Sequence, residues 1–266
     1  MIEISEEMDA KHVDYDRMAT EYDRRFTLGL VSNTARALHE HYEQVNGGRI
    51  LEVGCGTGHW LEVISAPDRS LIGLDFSRGM LAQAQEKKIP AQLVHGVTRQ
   101  LPVNSGEIDF VYCIHALHHF TDPRAFISEA HRVLRPGGKL VILGGGSPKN
   151  RADWYVYQYF EGSFETDLER FSLWETIRLW IEMSGFDKLE LVEVEHIQEW
   201  KVGREIFLDP FLQKHACSQL ALLSERTYQE GLKRIESDLV EAEKEGQDLE
   251  FKSDISIKML SGWKES

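Results

Sequence analysis

Residues 51–58 read Leu-Glu-Val-Gly-Cys-Gly-Thr-Gly, an apolar run that passes directly into a glycine-rich turn, and this segment restricts the fold more than any other. Glycine is needed where a backbone must take positive φ or let a ligand come close. Asp75 follows about 20 residues later, at the end of the next predicted strand, where a carboxylate can accept hydrogen bonds from both hydroxyls of a ribose. Together the two features describe a site for an adenosine-containing cofactor. A dinucleotide pyrophosphate calls for G-x-G-x-x-G at a helix start, but His59 stands at the third glycine position. Nicotinamide-dependent hydride transfer is therefore disfavoured.

Beyond this turn, short β-branched or apolar runs alternate with segments of helical period, the pattern of a parallel sheet built from βαβ units. Strands are predicted at Arg49 to Val53, Ser70 to Leu74, Ala91 to His95, Ile108 to Cys113, Lys139 to Leu143, Lys188 to Ile197 and Asp254 to Leu260. Helices are predicted at Leu61 to Ser65, Ser77 to Gln85 and Pro123 to Leu134, with Ser77 and either Thr121 or Asp122 as N-caps. Arg135-Pro136-Gly137-Gly138 ends the third of these, because proline cannot continue a helix and glycine takes the turn conformation. Past Gly146 the pattern breaks into an aromatic concentration that includes Trp154, Tyr157, Tyr159, Phe160 and Trp174. The charged stretch Ser224 to Glu245 reads as a solvated helix face rather than a partner-binding helix.

The formal charge of −14 opposes a phosphate backbone, and no basic block offsets it. Three widely spaced cysteines, Cys55, Cys113 and Cys217, lack metal-ligand spacing and suit a reducing compartment. The acidic N-terminus is unlike a secretory signal, and no apolar stretch approaches the roughly 20 residues that cross a bilayer. The expectation is a cytoplasmic protein with no nucleic-acid partner, no membrane partner and no metal, either monomer or homodimer.

The spacing Glu52-x-Gly54-x-Gly56-x-Gly58 resembles motif I of the class I S-adenosylmethionine methyltransferases. Gly73-Leu74-Asp75-Phe76-Ser77 with Met80 is similar to motif II, and Leu101-Pro102 before Asp109 resembles the approach to motif IV. Ala116-Leu117-His118-His119-Phe120 and the run to Gly138 resemble the small-molecule branch, the methyltransferase type 11-like group. The resemblance implies an α/β, Rossmann-like, seven-stranded, mostly parallel sheet with helices on both faces and helical and aromatic insertions late in the chain. It implies an N-terminal helical lid over residues 1–45 and a methyltransferase domain over 46–266, with insertions at about 147–170 and 200–250. The cofactor would be S-adenosylmethionine and the partner a small-molecule methyl acceptor.

Carried over by position, the resemblance puts Gly54 and Gly56 along the methionine part, with Glu52 beside its positive charge. Asp75 would hold the ribose, Phe76 and Met80 would flank the adenine, and Gly96 and Val97 would lie at its edge. Many family members carry Asp where this chain has Val97, so a backbone contact must replace it. Asp14, Tyr15, Ala19, Tyr22 and Asp23 resemble the family's N-terminal pattern, read either as a lid over the cofactor or as ordinary helix packing.

His115, His118 and His119 would share a face if helical, but the surrounding residues complete no ligand set, and His115 is expected at the cofactor. His118 and His119 are candidates for a general base or for structural roles. Tyr157 and Tyr159 are candidates for a substrate wall, with a hydrophobic core as the equal alternative. The segment Trp200 to Phe251 is read as a cap over the site or a dimer surface. Two other functions stay open: a non-catalytic S-adenosylmethionine-binding regulatory module, and methylation of a protein.

Overall fold

The computed structural model describes residues 13, 15–23, 32–150, 153–214 and 217–265; Asp14, the acidic start of the chain and the first part of the proposed lid lie outside them. Strands β1 (Arg49–Val53), β2 (Ser70–Asp75), β3 (Ala91–His95), β4 (Ile108–Ile114), β5 (Leu134–Gly145), β6 (Phe186–Val202) and β7 (Glu250–Lys264) form one sheet. Their order is β3-β2-β1-β4-β5-β7-β6, and β7 runs antiparallel to β5 and β6 on either side of it. The seven-stranded, mostly parallel expectation is what the sheet shows.

Alternation along the strands explains the two covered faces. In β4, Val111 and Cys113 point to one core, packed by α5 (Pro123–Val133) and α8 (Trp174–Met183). Phe110, Tyr112 and Ile114 point to the other, packed by α2 (Ser32–Tyr42) and α3 (His59–Ile64). Every residue of β4 is buried, as a central parallel strand requires. Helix α4 (Arg78–Glu86) starts at Ser77, whose hydroxyl accepts from the Met80 amide at 3.0 Å. Asp122, not Thr121, caps α5, accepting from the Ala125 amide at 2.9 Å.

Three strands, β5, β6 and β7, differ from expectation at their ends. Strand β5 begins at Leu134, directly after α5, so the Arg-Pro-Gly-Gly segment lies within it as an irregularity: Ile108 pairs with Leu134 and Phe110 with Lys139. Gly137 takes the required positive φ, 75°. Strands β6 and β7 run well past the predicted limits, pairing from Phe186 with Lys264 to Val202 with Glu250. Only Ile257 to Trp263 of β7 also pairs with β5, so the rest of the two strands projects as a ribbon beyond Gly145, the C-terminal end of β5.

A third core stands on this ribbon. Helices α6 (Tyr155–Tyr159) and α7 (Ser163–Arg170) meet α9 (Ser218–Ala221) and the long α10 (Glu225–Glu245) around Tyr155, Phe160, Ile206, Leu220, Ile235 and Phe251. The charged stretch is thus a helix with one buried row, Gly231, Ile235 and Leu239, and a solvated remainder. Gly231 is required there, since a Cβ would lie 2.3 Å from the Phe160 ring. Among the described residues no helix is long and apolar enough to cross a membrane.

Candidate cofactor and acceptor site

All three glycines of the turn after β1 take positive φ: Gly54 at 79°, Gly56 at 51° and Gly58 at 77°. A side chain at Gly54 would strike Ala116 at 2.5 Å, and one at Gly58 would strike Ile89 at 2.7 Å. Gly56 has nothing within 4 Å, so its backbone borders open space. The Gly54 and Cys55 amides both donate to the Leu74 carbonyl, at 2.8 and 3.0 Å, which fastens this turn to the end of β2.

Asp75 lies at that end. Its Oδ2 accepts from the Gly56 amide at 2.7 Å and its Oδ1 from the Ser77 amide at 2.8 Å. Burial pushes this carboxyl up from its ordinary value, and the two amides oppose the rise. Around it, Phe76 is 57% exposed and tilted 6.0 Å from His95, while Met80 is buried. Gly96 donates to the Asp75 carbonyl at 3.1 Å, bringing Gly96 and Val97 to the same edge as Phe76 and Met80.

Glu52, expected beside the positive charge of the cofactor, lies near the end of the strand before the turn as a buried residue. It is fully buried on the face of Phe110 and Tyr112, and the Tyr112 hydroxyl donates to its Oε2 at 3.0 Å. Burial holds its carboxyl well above the usual range, and Asp75 adds to the effect. An alternating strand explains this: Leu51 and Val53 face one core, so Glu52 must face the other.

The helix α1 (Tyr15–Tyr22) bridges three of the surrounding loops. Asp16 accepts from the Ser77 hydroxyl at 2.5 Å and the Gly79 amide at 2.7 Å. Tyr15 shares a hydrogen bond of 2.5 Å with His119 Nε2 and meets Tyr22 edge-on. Just past the helix, Asp23 accepts from Thr57 in the glycine turn and pairs with Lys87 at 2.5 Å.

His115 follows β4 with φ of 52°, a strained value for a residue with a side chain, and its amide donates to the Leu143 carbonyl at 2.8 Å. Residues 117–119 form a 3-10 turn rather than an α-helix, so the three histidines do not share a helical face. His118 instead stacks on Phe171 with centroids 4.0 Å apart and planes at 16°, while its ring also neighbours His119 at 4.0 Å. A crevice opens here at the C-terminal ends of β4 and β5, lined by His115, His118, Gly144, Arg170, Phe171 and Trp174 among others.

Tyr157 and Tyr159 do not line this crevice. Tyr159 is buried against Phe251, and the Tyr157 hydroxyl donates to Asp167 at 2.8 Å. Phe171 and Trp174 belong to the aromatic segment from Trp154 to Trp174 that the sequence offers as a substrate wall, whereas Arg170 is a crevice residue to which it assigns no role. The signal was the aromatic concentration itself, with one arginine inside it.

Residues 51–142 match the family described as a methyltransferase domain. The demethylmenaquinone methyltransferase of Oceanobacillus iheyensis is 35% identical over 125 residues, 43% of this chain and 52% of that protein. The chain spans about half the length of the first curated relatives it matches. Among solved structures, an S-adenosylmethionine-dependent methyltransferase of Thermotoga maritima superposes with a TM-score of 0.57 at 18% identity, covering 94% of this chain and 98% of the other. Phosphoethanolamine N-methyltransferase 2 of Haemonchus contortus, solved with S-adenosyl-L-methionine, gives 0.59 at 18% identity over 94% of this chain and 57% of its own. The positive-φ turn, open at Gly56 and faced by a carboxylate, fits such a cofactor.

Proposed function

We propose, from the premise that this chain carries a class I S-adenosylmethionine-dependent methyltransferase domain, that it methylates a small molecule held beneath the helical cap. The observation that carries the reading is the convergence of Gly54, Gly56, Asp75 and the bridging helix α1 at the C-terminal ends of adjacent parallel strands. In open α/β sheets that edge is where ligands bind. When bound, S-adenosylmethionine supplies a sulfonium-linked methyl group for in-line transfer to an acceptor atom.

The chain's own contribution is positioning and the exclusion of water. Asp75, already oriented by the Gly56 and Ser77 amides, accepts from ribose hydroxyls without having to reorganise. Gly56 lets the backbone approach, and Phe76, Met80, Gly96 and Val97 border the adenine. Tyr15 and Tyr22 close the near side through α1, with His119 as the anchor of Tyr15. His115 stands between the cofactor edge and the crevice, where its strained backbone is over-determined by the Leu143 bond. Glu52 serves from below, as a buried support of the turn through Tyr112.

A small acceptor is supported by the names of the relatives, several of them demethylmenaquinone methyltransferases. The net charge of −14 supports the same class over nucleic acid. Calorimetric titration with S-adenosylmethionine and S-adenosylhomocysteine tests the cofactor site directly. Asp75→Ala should lower both affinities by about 10- to 100-fold, the range for losing hydrogen bonds to a charged group. Native protein that binds neither compound would overturn the reading.

A further inference from the structure

The two ends of helix α1 are fastened by different means. At the N-terminal end Asp16 accepts from the Ser77 hydroxyl and the Gly79 amide, and a Cβ on Gly79 would lie only 2.9 Å from the Asp16 Cα. The same end reaches His119 through Tyr15. Strand β1 stands between β2 and β4 in the sheet, so a helix end that touches both Ser77 after β2 and His119 after β4 spans the end of β1. The glycine turn that follows β1 therefore lies under α1, with Asp75 bonded to it at Gly56. At the C-terminal end Asp23 Oδ1 accepts from the Thr57 hydroxyl, in the glycine turn itself, and Oδ2 pairs with Lys87 Nζ at 2.5 Å. Lys87 also donates to the Thr57 hydroxyl at 3.4 Å, which closes a triangle of three side chains. Asp23 is 41% exposed and Lys87 22%, so water can replace these bonds when they part, whereas the close backbone contact at Gly79 has no such substitute.

We propose that Asp23, Thr57 and Lys87 are the clasp of a lid whose pivot is the Asp16 end, and that release of this clasp sets the rate at which cofactor and by-product exchange. The proposal deepens the reading of the site as a cofactor site and rests on it. Every partner in the clasp is a protein group, so it stabilises the closed lid equally with and without cofactor. Weakening it raises the open fraction by the same factor in both states, so entry and exit accelerate together and the dissociation constant is unchanged. A side chain that instead touched the cofactor would alter the exit rate and the affinity together.

The probe is S-adenosylhomocysteine, whose carboxylate and ammonium leave it without net charge, so salt does not steer its approach. Association and dissociation rates are read by surface plasmon resonance on the immobilised full chain, and affinity by calorimetry. Asp23→Ala, which opens the whole triangle, should raise both rates about 5-fold or more while the dissociation constant stays within about threefold. Asp23→Asn keeps an acceptor for Thr57 but loses the ion pair, so both rates should rise about 2- to 5-fold, and Lys87→Gln should match it. On native protein, raising salt from about 0.05 to about 0.5 M screens the pair and should raise both rates about twofold, a dependence that Asp23→Ala should lack. The salt series needs no variant, so it decides the matter even where Asp23→Ala fails to fold. Rates that respond to neither salt nor substitution, or an exit rate that rises alone with loss of affinity, would overturn the clasp and leave the cofactor reading intact. Native protein that does not bind S-adenosylhomocysteine overturns both.

Discussion

The sheet and the cap bury similar kinds of side chain but hold them by different means. In the sheet, Phe110, Val111 and Leu140 are fixed by strand register, and the backbone satisfies itself along the ladders. In the cap, short helices from two distant parts of the chain are tied by buried carboxylates. Asp167 receives Tyr157, Gln219 and Arg170, and Asp209 receives the Tyr155 hydroxyl at 3.1 Å and the Phe211 amide at 2.8 Å. The contrast teaches that the aromatic residues of the cap are consumed by its own core, while the cofactor loops belong wholly to the sheet. The two regions share the crevice, which Arg170 of the cap and His115 and Gly144 at the sheet both line.

If the two regions are separate in energy although they share Phe251 of β7, damage to each should be felt differently. Phe110→Ala, in the sheet, should cost about 3–5 kcal/mol and lower S-adenosylhomocysteine binding together with global stability, read by denaturant unfolding with and without that compound. Phe160→Ala should remove a similar amount from the cap, yet leave S-adenosylhomocysteine affinity within about threefold. A single unfolding transition with cofactor affinity lost in parallel would break the distinction. The smallest effect belongs to α1. The Ser77 hydroxyl, then the Gly79 amide, hold the Asp16 carboxyl below its ordinary value. A depressed folded-state value means stability present above about pH 4 and lost as pH falls through the folded value. The stability gap between native protein and Asp16→Asn should therefore be level near neutrality and shrink below about pH 4, as measured by thermal unfolding across pH.

Most of the sheet was readable because its two signals are local. The short, mostly apolar run Ile108 to Ile114 marks a strand, and the glycines with Asp75 mark the turn and the carboxylate facing it. Strand ends were less readable: β6 and β7 extend because each supplies the other's ladder, a long-range pairing with no local marker. For Glu52 the motif names the position, but only strand alternation gives the direction of the side chain. The cap was visible as aromatic richness, but its core joins Tyr155 and Phe160 to Ile235 and Phe251, residues with no shared period. Arg170 could not be found in advance, since its partner Asp167 and the competing donors Tyr157 and Gln219 meet only after the cap has folded.

The ribbon of β6 and β7 also bears on how such a chain can be altered. Val202 and Glu250 stand opposite each other at its tip, so everything between them enters and leaves at neighbouring points. A length of chain with adjoining ends can be exchanged without shifting the register of the sheet beneath it. Replacing 203–249 by a short turn would keep the strand pairs intact but uncover Tyr155 and Phe160, whereas a graft of another helical segment could cover them again. The molecule is in that sense a fixed chassis with an interchangeable upper storey, and the glycine turn and Asp75 lie outside the exchanged length.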